Sequence, residues 1–230
     1  MKPRRSNQRN RAMTLTEVLV VICVLAGLVV LILPMLARTK DGRRPACVLN
    51  LKEIGLACKV WAGDNGDKYP MQVSVTNGGA MELALTGDVA EIYRTMSNDL
   101  SWPKAFICPA DIGRVAATNF TTDFNNSKIS YFVGVDATDT QPRMFLSGDD
   151  NFAVAGVPVK SGLLELSTNS LIAWTSGRHV DSYKAHFWTP AQFVGCIGFA
   201  DGSVRWQVTQ KGLQEAFQQT GVATNRLAIP

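Results

Sequence analysis

The chain's two histidines, His179 and His186, fall in one stretch, SGRHVDSYKAHFW at residues 176–188. Ser176, His179 and Asp181 there are the residue types of a hydrolytic triad. Three such groups within six positions describe a polar loop better than a nucleophile, base and orienter brought together from separate elements. No H-E-x-x-H, G-x-S-x-G or phosphate-loop spacing occurs. The sequence therefore does not read as an enzyme's, and this stretch is the one place where an uncharted catalytic site would lie. A metal site from both histidines with Cys108 or Cys196 has no supporting ligand spacing. Oxygen ligands cluster at Asp64, Asn65 and Asp67, and again at Asp149, Asp150 and Asn151. These are weak calcium candidates, since neither stretch has an EF-hand pattern and Asp-Asn-Gly is ordinary turn chemistry. No other cofactor is implied.

Of the five cysteines, Cys23 lies in an apolar run, leaving Cys47, Cys58, Cys108 and Cys196. A helix over 47–61 would separate Cys47 from Cys58 by about 16 Å along its axis, beyond the roughly 7 Å between Cα atoms that a bridge can span. Two bridges would thus join each of them to Cys108 or Cys196. A buried thiol is an equal reading for Cys58.

The remaining residue with chemical consequence is Glu17, the one acid at the head of TLTEVLVVICVLAGLVVLILPMLA. From Val18 to Ala37 there are 20 consecutive uncharged residues. As a helix they reach about 30 Å, one bilayer core. Five of the chain's 23 basic residues and no acid precede them in residues 1–12, leaving 18 bases against 19 acids elsewhere. The formal charge of +4 is therefore an orientation signal that keeps the N-terminus in the cytoplasm. A near-neutral body excludes a nucleic-acid partner. The apolar run is too long for an ordinary signal peptide, and Met35-Leu36-Ala37 is a poor cleavage site. A carboxylate at this depth is costly, which marks Glu17 as functional. Pro34 removes a helical hydrogen bond and should kink or end the helix.

RAMTLTEVLVVICVLAGLVVLILPMLA resembles the class III signal of type IV pilins and type II secretion pseudopilins. Counted from Met13, Glu17 is fifth and Pro34 twenty-second, in register with that family's glutamate and proline. The resemblance implies cleavage between Ala12 and Met13 by a prepilin peptidase, N-methylation of Met13, and assembly in which Glu17 meets the terminal amine of a neighbouring subunit. Ala12 and Met13 depart from the family's usual glycine and large apolar residue; alanine keeps the site small. Further on, Cys47, Asn50, Leu51, Lys52, Ile54, Gly55, Leu56 and Ala57 match the C-x-x-N-L-K-x-I-G-L-A helix of a large family of bacterial prepilin-like proteins. Cys108-Pro109-x-Asp111 and Phe199-Ala200-Asp201-Gly202 match its later elements.

The elements that position these residues follow from periodicity. Gly42 and Pro45 should interrupt the helix and form a hinge over 38–46. Leu51, Ile54, Cys58 and Trp61 then form a helical stripe, with Lys52, Glu53 and Lys59 opposite. Asp88–Ser97 reads as a short helix with Val89, Ile92, Tyr93 and Met96 on one face. KAFICP, ISYFVGV and SLIAWT read as strands, and GDDNFAVAG and DATDTQP as loops. FVGCIGFA and SVRWQVT flank Asp201-Gly202, read as a two-residue type I′ hairpin turn, with Val204, Trp206 and Val208 on one apolar face. Gly195 and Gly198 would admit a close neighbour. QKGLQEAFQQTG reads as a terminal helix. Trp102, Trp174, Trp188 and Trp206 are expected to fill the core.

The expected fold is α+β and pilin-like: a long N-terminal transmembrane helix and an antiparallel sheet. Its expected parts are a leader at 1–12, an assembly helix at 13–37, the hinge at 38–46 and a globular domain at 47–230. The resemblance implies a single-pass inner-membrane protein with its globular domain in the periplasm or in a filament. Its partners would be a prepilin peptidase, other pilin or pseudopilin subunits and an inner-membrane assembly platform. The rival reading is a tethered binding protein that uses the signal for export and anchoring alone.

Overall fold

The structure, a computed structural model, describes residues 15–37, 43–100, 102–175 and 193–230. It divides into two compact units, 1–42 and 43–230. In the first, helix α1 spans Leu15–Ala37, 23 residues with Glu17 in the first turn. The helix runs through Pro34 to Ala37. Its side chains are described from Leu15 to Val29, and all of them are exposed. Among the described residues no helix is long and apolar enough to cross a membrane.

The second unit begins with helix α2, Arg43–Asp64. Pro45, expected to break a helix, sits in its first turn. There the N–H that proline lacks would have had no intrahelical partner. The expected stripe is buried: Leu51 and Ile54 are each 1% exposed, with Cys58 and Trp61 beside them. Each such side chain contributes about 1.5–3 kcal/mol by leaving water. Helix α3 (Met81–Thr86) and helix α4 (Val89–Thr95) follow. Asp88 caps α4 by accepting from the Glu91 N–H, and Val89, Ile92, Tyr93 and Met96 are all buried, as the spacing expected.

Among the described residues nine strands come next: β1 (Tyr131–Gly134), β2 (Phe145–Asp149), β3 (Phe152–Val154), β4 (Val157–Pro158), β5 (Gly162–Ser167), β6 (Ile172–Trp174), β7 (Gly195–Phe199), β8 (Val204–Val208) and β9 (Thr224–Ile229). Helix α5, Gln210–Gln218, precedes the last of them. Six strands form an antiparallel sheet in the order β5-β9-β1-β2-β7-β8, and β4-β3-β6 form a second, smaller one. The architecture is α+β with antiparallel sheets.

The large sheet separates two cores. Tyr131, Val133, Cys196 and Ala228 pack with residues of α2, α3 and α4, while Phe132, Ile197, Phe199, Leu227 and Ile229 pack with β3, β6 and α5. Successive residues of one strand thus enter opposite cores, and β1, β2 and β7 are buried along their whole length. The edge of β6 is closed by two glutamines one helical turn apart on α5. Gln210 Oε1 accepts from Trp174 N at 2.6 Å, and its Nε2 donates to Trp174 O at 2.9 Å. Gln214 does the same with Ile172 N and Ser170 O, both at 3.0 Å. Two side chains here stand in for a neighbouring strand.

Several sequence expectations need correcting. KAFICP is not a strand: Pro103–Phe106 is a 3-10 turn opened by its proline. GDDNFAVAG is not a loop but the end of β2 followed by β3. The turn at Asp201-Gly202 has three residues, with Phe199 N donating to Ser203 O and Gly202 N to Phe199 O, both at 2.9 Å. Only Gly202 there has positive φ, at +83°, which is the three-residue hairpin with a glycine bulge. Positive φ at two successive turn residues, the mark of a type I′ turn, occurs instead at Ala155-Gly156 between β3 and β4. The alternation of β8 also fails. Gly195 pairs with Val208 but Ile197 with Arg205, so β8 carries one extra residue. Gln207 takes a positive φ of 52° at this bulge, and Trp206 is left 56% exposed. Trp102 is equally exposed, whereas Trp61 and Trp174 are core residues. Trp188 lies outside the described residues.

Candidate functional site

The processing residues Ala12 and Met13 lie outside the described residues, as do Ser176, His179, Asp181 and His186. Glu17 is in the first turn of α1 and exposed.

The three short motifs on which the sequence resemblance rests converge on α2, in order along its axis. Cys47 forms a disulfide with Cys108, their Cα atoms 5.1 Å apart. One turn on, Asn50 Nδ2 donates to Ile107 O at 2.8 Å and to the Tyr131 hydroxyl at 3.3 Å. Leu51 lies against Gly198, where a Cβ would fall 3.9 Å from the leucine's own. Gly55 meets the hairpin, its Cβ position 3.6 Å from Gly202 Cα. Last, Lys59 Nζ bonds Asp139 Oδ1 at 2.7 Å, and the Tyr69 hydroxyl donates to Ala200 O at 2.7 Å. The motifs are therefore a clamp between helix and sheet: a disulfide at one end, a hairpin loop at the other. Gly195, the other expected close approach, faces the Trp174 ring instead of α2. The remaining cysteines, Cys58 and Cys196, carry thiols and are buried, so the second bridge is not formed. Burial pushes the Cys58 thiol up to about 12, which keeps it protonated and unreactive at neutral pH.

A buried ionic cluster supports the disulfide loop. Arg114 Nη1 lies 2.7 Å from Asp150 Oδ2 and 3.7 Å from Asp111 Oδ2, with all three side chains nearly inaccessible. Ser130 Oγ donates to Asp111 at 2.9 Å, and Asp149 Oδ2 accepts from the Cys196 N–H at 2.7 Å. Charges so placed fix geometry, and removing one partner would leave the other uncompensated in the interior. The Ser130–Asp111 pair is enclosed, closed to a substrate. Sequence reasoning read Asp149 and Asp150 as loop oxygens. The usable signal was Arg114, three residues after Asp111, a cation close enough to neutralise an acid taken inside.

The first calcium candidates sit at the C-terminal end of α2. Asn65 Nδ2 donates to Trp61 O at 2.7 Å, and Asp67, at φ 59°, donates its N–H to Ala62 O. The asparagine's amide nitrogen thus helps to end the helix. Among the described residues no group of three or more His, Cys, Asp or Glu side chains could hold a metal ion. Set beside family models, curated proteins and solved structures, the chain matches none of them.

Proposed function

We propose that the chain is a prepilin-like subunit of a type II secretion pseudopilus or type IV pilus. Its leader is removed between Ala12 and Met13 by a prepilin peptidase, and its globular unit is held outside the cytoplasmic membrane. The observation that carries this reading is Glu17, fifth from Met13, heading an uncharged run of 20 residues whose backbone is helical. Supporting it, the large described apolar side chains of α1 are 43–83% exposed, a surface suited to lipid or to like helices.

The action follows from the solvation of one charge. In lipid, a carboxylate near the cytoplasmic end reaches the interface at modest cost. When like helices bundle, that escape closes and the acid needs a cation. The terminal amine of the next subunit's Met13, still cationic after methylation, supplies it and sets the axial register. No covalent chemistry on a substrate is involved. Glu17→Ala should insert into membranes at wild-type levels and fail to enter filaments, assayed by shearing and pelleting filaments from cells. Undiminished incorporation would overturn the pairing and favour the tethered binding protein.

A further inference from the structure

Where the β7–β8 hairpin, the segment before β2 and the end of α5 meet, an open-mouthed pocket of about 290 Å³ is lined by Arg143, Arg205, Asp201, Ser203 and Gln219. Its apolar lining includes Phe199 and Ala216, both buried. Backbone bonds bring these residues together. The Ala200 N–H donates to Met144 O at 2.9 Å and the Asp201 N–H to Pro142 O at 3.4 Å, which straps residue 143 to the hairpin. Arg205, on β8, holds its guanidinium carbon 5.0 Å from the centre of the Phe199 ring on β7. Both arginines are exposed, and among the described residues neither guanidinium makes a hydrogen bond or salt bridge. Asp201 is engaged within the turn instead, where its Oδ1 accepts the Ser203 N–H at 2.8 Å.

We propose that this pocket binds a carboxylate carried on a short apolar stem. A surface arginine needs no ligand when it stands alone in water or pairs with an acid of its own chain. Here two share one concavity without such a pair, and one of them lies over an aromatic ring, so its fork of N–H donors is oriented before any ligand arrives. A carboxylate accepts two parallel N–H bonds from one guanidinium. The charges favour it over a phosphate. Two arginines and one aspartate line the pocket and leave a net charge of +1, which one carboxylate cancels and a phosphate group, at about −1.5 to −2, overshoots. The Ser203 hydroxyl and the Gln219 amide add neutral donors. The Phe199 ring and the Ala216 methyl receive the carbon atoms behind the carboxylate. The end of a peptide chain and a small free acid share this chemistry, and the open mouth admits either. The pocket lies wholly within the globular unit, so it stands apart from the membrane reading of residues 18–37.

The test is fluorine NMR of a trialanine probe with an N-trifluoroacetyl group and a free C-terminal carboxylate, added to the full chain in detergent micelles. The same peptide amidated at its C-terminus is the control. The wild type should broaden the signal of the acid but not of the amide, and the broadening should fade as salt is raised. Arg143→Gln and Arg205→Gln should each weaken binding about fivefold or more, and the two together should abolish it, with the thermal melt unchanged. Lys211→Gln, which removes an exposed cation of α5 outside the pocket, should change nothing. Butyrate that displaces the probe at matching concentration identifies a small free acid as the ligand; displacement only in large excess identifies a chain end. Equal broadening of acid and amide, no broadening at all, or undiminished binding by the double arginine variant would each overturn the proposal. Displacement by inorganic phosphate at lower concentration than butyrate would reassign the pocket to phosphate and equally sink it.

Discussion

Helices α1 and α2 are almost equal in length, 23 and 22 residues, yet they solve opposite problems. On α2 the apolar residues form a stripe, and the sheet covers it: Leu51, Ile54 and Cys58 are at most 2% exposed. On α1 the apolar residues go all round, and each large one described is 43–83% exposed. A helix with one apolar face finds its partner within its own chain. A helix apolar on every side is built for another medium or for other copies. The difference places the folding information of the globular unit in α2, and the proposed function assigns assembly to α1.

Charge substitution separates the two most sharply. Ile54→Asp buries a carboxylate between α2 and the sheet and should destabilise the globular unit by at least about 4 kcal/mol, abolishing its cooperative melt. Val24→Asp should leave that melt unchanged and weaken membrane insertion by about 2.5–3.5 kcal/mol. Equal effects on the melt would erase the distinction. Next in size is the clamp. Cys47→Ala with Cys108→Ala opens a bridge between residues 61 apart, which in the chain-entropy treatment is worth about 4 kcal/mol. A chemical denaturation midpoint shifted to match is expected, and an unchanged midpoint would show that the buried ionic cluster alone holds the loop.

The smallest effect lies at the hairpin end. The hydrogen bond and charge of Lys59 hold the Asp139 carboxyl below its usual range. Because the folded-state value is depressed, the pair's stabilisation is present above the ordinary carboxylate range and is lost as pH falls through the depressed value. The pair is half exposed, so it contributes less than about 1 kcal/mol. Asp139→Asn should remove that acid-side slope from the pH dependence of the melting temperature and change little at pH 7. A loss of several degrees at neutral pH would mean that the hairpin latch matters far more than its exposure implies.

The contrast between the helices was largely legible in the sequence, because helical spacing at Leu51, Ile54, Cys58 and Trp61 is a local pattern that one covered face preserves. The sheet was less so. Strands β1 and β7 were read from their β-branched and aromatic runs, but β2, buried on both sides, lacks the apolar alternation that is the usual strand signal. In β2 and the turn after it, Asp149, Asp150 and Asn151 read as loop because their partners, the Cys196 N–H, Arg114 and the Thr175 carbonyl, are distant in sequence. Trp206 was misplaced by a single inserted residue, which reverses which side chains of β8 face inward. Strand β9 went unread because it follows α5 with no hairpin signal and pairs with β5 and β1, far back along the chain. At the candidate site, the position of Glu17 and the Cys47–Cys108 alternative were visible. The convergence of the three short motifs on one helix was not, since it depends on the sheet's strand order.

The most direct test of the account is the mass of the chain's N-terminus after extraction from the membranes of cells with an active prepilin peptidase. The expected species begins at Met13 and carries one methyl group on its amine. A chain that retains residues 1–12 under those conditions would contradict the assignment of α1 as an assembly helix.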